Sequence, residues 1–269
     1  MIKGSTALVA IVGSPIAQVK SPENFNTWFS NNGLDLAMLP IDLQHAALDA
    51  FIDTLRGWRN LCGCVVTVPY KQAFASRLDG LSERAAALGS VNVVRRENDG
   101  RLYGDNVDGA GFLGAARKHG FDPAGKRVLV IGCGGVGSAI AYALGEAGVA
   151  QVSLSDPETS RAAALAELLG KAFPGVGITT AYSALDAFDL VVNASPVGMG
   201  GTGELPLPAA LLGTLNAATL VADVVTSPEI TPLLEQARER GCAVQTGAQM
   251  AFAQLGHLGA FMGVTPLEI

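Results

Sequence analysis

"VLVIGCGGVGSAIAYALGEAGVAQVSLSD", residues 128–156, decides how this chain is read. An apolar strand-like run ends at Gly132, and Gly134 and Gly137 complete a G-x-G-x-x-G spacing as a helical pattern opens. In that spacing the first glycine makes a tight turn, the second lets the backbone approach a pyrophosphate, and the third permits close packing of helix on strand. Gly135 and Val136 stand between them, where the start of the helix faces the phosphates. A second strand ends at Asp156, roughly 20 residues beyond the glycines, where an acid can bond two ribose hydroxyls and repel a 2′-phosphate. Pro157 follows and the nearest arginine, Arg161, lies a helical turn further on, so NAD is favoured over NADP. The plainer alternative is that Asp156 only caps a helix beginning near Glu158.

Short apolar runs alternate with helical patterns on both sides of this stretch, the signature of βαβ units. Toward the C-terminus, strands are expected at 125–132, 151–156, 177–182, 188–194, 219–225 and 242–247. These six strands with intervening helices make a doubly wound Rossmann sheet. Toward the N-terminus, "ALVAIVG" (7–13), "LAMLPID" (36–42), "CGCVVTV" (62–68) and "VNVVRR" (91–96) read as strands of a second, parallel-rich α/β domain. Residues 108–120 read as a helix joining the halves, and a final helix over about 248–262 has no strand left to follow.

The 269 residues suffice for one large domain or two modest ones, and 49% hydrophobic with 16% charged residues is an ordinary soluble composition. The formal net charge of −6 argues against nucleic acid or an anionic membrane as the main partner, and no apolar run approaches the roughly 20 residues of a membrane helix. Cys62 and Cys64 alternate along an apolar run with no further ligand at metal-binding spacing, so buried thiols and no metal site are expected. A reducing cytoplasm suits such thiols.

Hydride transfer to a nicotinamide requires an alcohol to lose a proton to a group within hydrogen-bond reach. None of the 3 histidines, His45, His119 and His257, lies beside a glycine turn or at a strand end in the first half. Lys71 of "VVTVPYKQ" (65–72) is the better base, because Pro69 stiffens the chain just before it. A lysine works as a base only when its surroundings adjust its pKa, and "GDNVDG" (104–109) offers Asp105 and Asp108 as acids to poise it. Read singly, Lys71 is better explained by a solvated helix face; its conjunction with Asp108 and a dinucleotide site reverses that.

The segments "GSPIAQVKSPENFN" (13–26), "VTVPYK" (66–71), "GSVNVV" (89–94), "GDNVDG" (104–109), "GCGGVGS" (132–138), "NASPVGM" (193–199) and "GAQMAFAQ" (247–254) occur in one order. On them, the sequence resembles the shikimate dehydrogenase family. The resemblance implies a catalytic domain over 1–107 and 248–269 and a nucleotide-binding domain over 108–247. It implies that Lys71 and Asp108 are the catalytic pair and that Ser21, Thr67, Asn92 and Gln254 hold a small cyclic hydroxy acid such as shikimate or quinate. Asn193, Ser195 and Pro196 would lie beside the cofactor, with Gly247 and Met250 near the nicotinamide. Four positions depart from the family pattern: Val19, Val65, Val107 and Thr226 stand where Ser, Asn, Thr and Tyr are usual. The family's N-R-T motif for NADP is also replaced, by "SDPETSR" (155–161), in line with NAD. A non-catalytic NAD-binding regulator on the same fold and a methylenetetrahydrofolate dehydrogenase are the competing readings, and the family includes monomers and homodimers.

Overall fold

The structure, a computed structural model, describes residues 2–269. It divides into two compact units, one running to Val107 and taking in Leu255–Ile269, the other comprising Asp108–Gln254.

The first unit is built on β1 (Ala7–Gly13), α1 (Ser21–Asn31), β2 (Leu36–Asp42), α2 (Leu48–Gly57), β3 (Leu61–Val66), α3 (Lys71–Ala75), β4 (Gly80–Leu81), α4 (Glu83–Leu88), β5 (Val93–Arg96) and β6 (Leu102–Asp105). Its sheet runs β2-β1-β3-β5-β6-β4, with β1 parallel to both neighbours and β5 antiparallel to β3 and β6. Apolar spacing explains the helices. Phe25 and Phe29 on α1, and Leu48, Ile52 and Leu55 on α2, recur at three or four residues and are buried. Ser82 caps α4 by accepting from the Ala85 amide, and Gly89 ends it in the left-handed region at φ 58°. β3 stops at Val66, earlier than the apolar run suggests, because Thr67 and Tyr70 close a turn that leads into α3.

Strands β4 and β6 have no counterpart in the sequence reading. They are only two and four residues long, and β6 carries Gly104 and Asp105, which are poor strand formers. Burial of Asp105 is made possible by partners from α4: Arg84 Nε donates to Oδ1 at 2.7 Å while Nη2 grips Oδ2, and Ser82 donates its hydroxyl to Oδ1. The side chain of Asp105 is 5% exposed and that of Arg84 29%. Asp105→Ala should therefore cost about 3 kcal/mol, the lower end for breaking a buried pair because Arg84 keeps access to water. Urea unfolding of the variant beside the parent measures it.

The second unit contains α5 (Asp108–Lys118), β7 (Arg127–Ile131), α6 (Gly135–Glu146), β8 (Gln151–Ser155), α7 (Thr159–Ala172), β9 (Gly177–Thr179), β10 (Leu190–Asn193), α8 (Ala209–Leu212), β11 (Leu220–Asp223), α9 (Pro232–Glu239) and β12 (Ala243–Gln245). The helix α10 (Gly247–Met262) starts in this unit and continues past Gln254 into the residues assigned to the first. The sheet order is β12-β11-β10-β7-β8-β9, and every pair is parallel. Renumbered within the unit this is the 3-2-1-4-5-6 order of a doubly wound fold, with its switch point between β7 and β10. Val128, Val130, Ile140, Leu144, Leu154, Leu165 and Val192 form the apolar layer on one face. Among the described residues no helix is long and apolar enough to cross a membrane.

Candidate functional site

Ligands of a doubly wound sheet sit outside the carboxyl ends of its strands at the switch point. Here that place is flanked by the turn after β7 and the loop after β10. Gly132 takes φ 94°, and a Cβ on it would lie 2.8 Å from the Ser195 amide nitrogen. A Cβ on Gly137 would overlap the carbonyl oxygen of Gly132. These two glycines are required by the protein's own packing. Gly134 is different: it has φ −76°, no atom lies within 4 Å of its would-be Cβ, and no side chain caps the helix it opens. The space over Gly134 and the amides of Gly135, Val136 and Gly137 at the start of α6 fit the pyrophosphate of a dinucleotide.

Asp156 closes the other side of this turn. Its Oδ2 accepts from the Cys133 amide at 2.7 Å and its Oδ1 from the Glu158 amide at 2.9 Å. Burial, and then the Asp156 charge, push the neighbouring Cys133 thiol up to about 11, so it stays protonated at neutral pH. All four cysteines are free thiols.

Beyond β10, Asn193 is fully buried and organises the loop that follows. Its Oδ1 accepts from the amide and hydroxyl of Ser195 at 3.1 and 2.6 Å, and its Nδ2 donates to Val197 O at 3.0 Å. The same Nδ2 meets the carboxylate of Asp223 at 3.1 and 3.2 Å. Pro196 is exposed at the crest. Asp223 and its partner Thr231, which donates its hydroxyl at 2.7 Å, are not among the residues singled out from sequence. Burial raises the Asp223 carboxyl above its ordinary value, against the hydrogen bonds from Val225, Thr231 and Asn193. The signal was available in "TLVADVV": an acid in a buried strand of a parallel sheet must have partners.

Asp108 lies buried in the first turn of α5, where the helix dipole favours a carboxylate, and Gln254 of α10 donates Nε2 to its Oδ1 at 2.8 Å. Small residues permit this approach. A Cβ on Gly111 would run into Gln254 Cγ, and one on Gly109 would run into the Ala139 carbonyl of α6. Gly247, at the start of α10, faces the Val224 and Val225 carbonyls with no room for a side chain. Met250 is packed in the apolar cluster with Phe112 and Ile140, 6% exposed.

In the first unit, Lys71 opens α3 and its carbonyl accepts from the Val91 amide at 2.9 Å. Asn92 is buried, and its Oδ1 accepts from the Val107 amide at 2.8 Å, which turns the NH2 edge of the carboxamide the other way. Thr67, half-buried, follows β3 and donates its amide to Val12 O at 2.9 Å. Gly13 leaves room beside it, since a Cβ there would lie 2.5 Å from Thr67 Cγ2. Ser21 is half-buried at the start of α1. Val65 and Val107 are buried and Val19 half-buried, while Thr226 is exposed.

The family model described as the shikimate dehydrogenase substrate binding domain matches residues 11–94, and one described as NADP oxidoreductase, coenzyme F420-dependent, matches residues 127–200. The shikimate dehydrogenase (NADP(+)) of Rubrobacter xylanophilus is 36% identical, over 98% of this chain and 94% of that protein. The chain belongs to the shikimate dehydrogenase family. The protein of the same name from Rhodospirillum rubrum is 37% identical over 99% of this chain and 95% of its own. The structure of the Thermus thermophilus shikimate 5-dehydrogenase in complex with NADP(H) and shikimate superposes with a TM-score of 0.83 at 32% identity, covering 97% of this chain and 95% of the other.

These relatives correct the expectation of NAD drawn from Asp156: family members this similar are named for NADP(+), and NADP(H) occupies the Thermus structure. The physical reason lies in the Asp156 carboxylate. Its two oxygens accept the Cys133 and Glu158 amides, so the acid has a structural task in this turn that accounts for its position without a ribose. The absence of the N-R-T motif was therefore no evidence for NAD.

Proposed function

We propose that this member of the shikimate dehydrogenase family is an NADP-dependent oxidoreductase that interconverts a ring hydroxyl and a ring ketone of a cyclic hydroxy acid of the shikimate or quinate class. The observation that carries this reading is an identity of 36% spread over 98% of the chain, across both compact units. NADP, when bound, supplies the nicotinamide ring that takes the hydride. Gly134, Gly135, Val136 and Gly137 hold its pyrophosphate, and Asn193, Ser195 and Pro196 form the neighbouring wall.

Lys71 and Asp108 handle the alcohol proton: the amine accepts it from the hydroxyl as the C–H pair leaves, and the carboxylate stabilises the resulting ammonium. Gln254 fixes the orientation of Asp108 and, with Ser21, Thr67 and Asn92, holds the substrate's hydroxyls and carboxylate. Gln254→Ala should then raise KM for the hydroxy acid about tenfold, the cost of one hydrogen bond, and lower kcat because Asp108 loses its orienting donor. Steady-state kinetics at saturating NADP measures both.

The apolar departures refine the substrate. A hydrogen bond to a charged group contributes about 1.5–3 kcal/mol, so each hydroxyl or amide absent at Val19, Val65 and Val107 weakens a highly polar ligand roughly ten- to hundredfold. The substrate is accordingly less polar at that end than shikimate. Steady-state oxidation of shikimate, quinate and their mono-deoxy analogues with NADP tests the reading. We expect turnover of cyclic hydroxy acids, with a deoxy analogue outperforming shikimate. NADP binding without turnover of any of them would overturn the assignment.

A further inference from the structure

The loop after β10 has a hydrogen-bond direction imposed on it from beneath. Asp223 is 1% exposed, and its carboxylate accepts from Val225 N at 2.9 Å, from the Thr231 hydroxyl at 2.7 Å and from Asn193 Nδ2. A carboxylate surrounded by donors offers no proton, so Asn193 can only turn its NH2 toward it, where that group also meets the Val197 carbonyl. Asn193 must therefore turn its oxygen toward Ser195, which gives it both the backbone amide and the hydroxyl proton. A serine hydroxyl has one proton and two lone pairs. The proton is committed to Asn193 and one lone pair accepts from the Val197 amide at 3.2 Å, leaving one lone pair on the hydroxyl of a half-buried residue whose backbone nitrogen lies against Gly132.

From this chain we infer that Asp223 is a positioning residue that fixes Ser195 as a pure hydrogen-bond acceptor, selecting a donor, a hydroxyl or amide N–H, on the nicotinamide half of the bound dinucleotide. The inference rests on the NADP reading above. The half is assigned by topology: the two mononucleotides lie on either side of the switch point, and Ser195 is on the β10 side, opposite the β8 side that bears Asp156. Asn193 and the Asp223 carboxylate do not touch the ligand in this scheme; they decide which way the serine proton points.

A double-mutant cycle on NADP affinity, measured by titration of the parent, Ser195→Ala, Asp223→Asn and the double variant, tests it. Ser195→Ala should weaken NADP about tenfold, the value of one acceptor. Asp223→Asn keeps one acceptor, at the Oδ1 place where Val225 N also donates, and puts an NH2 at the Oδ2 place 3.2 Å from Asn193 Nδ2, so the direction of the Asn193 amide is no longer fixed and NADP should weaken by up to the Ser195→Ala value. In the Ser195→Ala background Asp223→Asn should cause no further loss, a coupling that general loosening of the loop would not produce. Equal losses in both backgrounds would overturn the proposal, as would unchanged affinity in Ser195→Ala. Should Asp223→Asn fail to fold, Ser195→Thr, which keeps the hydroxyl, should bind NADP near the parent's affinity while Ser195→Cys, a weak acceptor, should lose about tenfold; parental affinity in Ser195→Cys sinks the proposal. A parent that binds no NADP at all would remove the cofactor reading itself, a result distinct from any outcome of the cycle.

Discussion

Lys71→Ala should lower kcat for oxidation of the cyclic hydroxy acid by about 10²–10⁴-fold, the range for removing a general base, while NADP affinity stays nearly unchanged. The separation follows from where the residue sits. Its backbone bond to the Val91 amide survives truncation, alanine is a good first-turn residue of α3, and the pyrophosphate turn belongs to the other unit. Lys71→Arg is the sharper control. It keeps a positive charge for the substrate but cannot give up its proton at usable pH, so its turnover should fall as far as that of the alanine variant. An arginine variant with near-parental kcat would show that the lysine serves only as a charge.

The second large effect is a contrast between two glycines three residues apart. Gly134→Ala should fold, because its backbone at φ −76° suits alanine and nothing lies within 4 Å of the added methyl. Stability should stay within about 1 kcal/mol of the parent, the smaller entropy of the unfolded chain being offset by alanine's poorer N-capping of α6. NADP affinity should fall about a hundredfold, since a methyl over the turn holds the pyrophosphate away from amides that contribute about 1.5–3 kcal/mol per charged bond. Gly137→Ala should show the reverse order of causes. The methyl collides with the Gly132 carbonyl, so overpacking costs about 3 kcal/mol and binding fails with the fold. Thermal melts and calorimetric titration of the two variants separate these outcomes, and parental NADP affinity in Gly134→Ala would show that no phosphate approaches that turn.

The nucleotide-binding sheet was legible because its signals are local: a glycine spacing between two apolar strands fixes a turn, a helix start and a parallel pair at once. The first unit was less so. β4 exists only through its pairing with β6, Gly80 with Tyr103 and Leu81 with Gly104, and β6 ends on an acid whose burial depends on Arg84. No periodicity announces such strands. Asp156 shows the limit of motif reading at the site. Its position alone favoured ribose hydroxyls, whereas its bonds to Cys133 and Glu158 give it a structural task that only three-dimensional placement reveals. Asp223 was missed for a different reason: its signal is an acid within the buried strand "TLVADVV", a matter of burial and not of motif spacing.

Residues 255–269 complete the first unit: Met262 is 3% exposed, a Cβ on Gly63 would lie 2.6 Å from its Cγ, and the Phe261 ring lies 5.2 Å from the Arg95 guanidinium. For a chain emerging from the ribosome, domains ordinarily fold as they appear, N-terminal first. Here β1 to β6 are made early, yet the side chain that packs onto Gly63 of β3 is translated only after the whole of Asp108–Gln254. The nucleotide-binding unit, continuous in sequence, can finish first, while the older half of the nascent polypeptide waits with part of its apolar sheet uncovered. Slower elongation through residues 108–254 thus lengthens the time for which that surface stays uncovered.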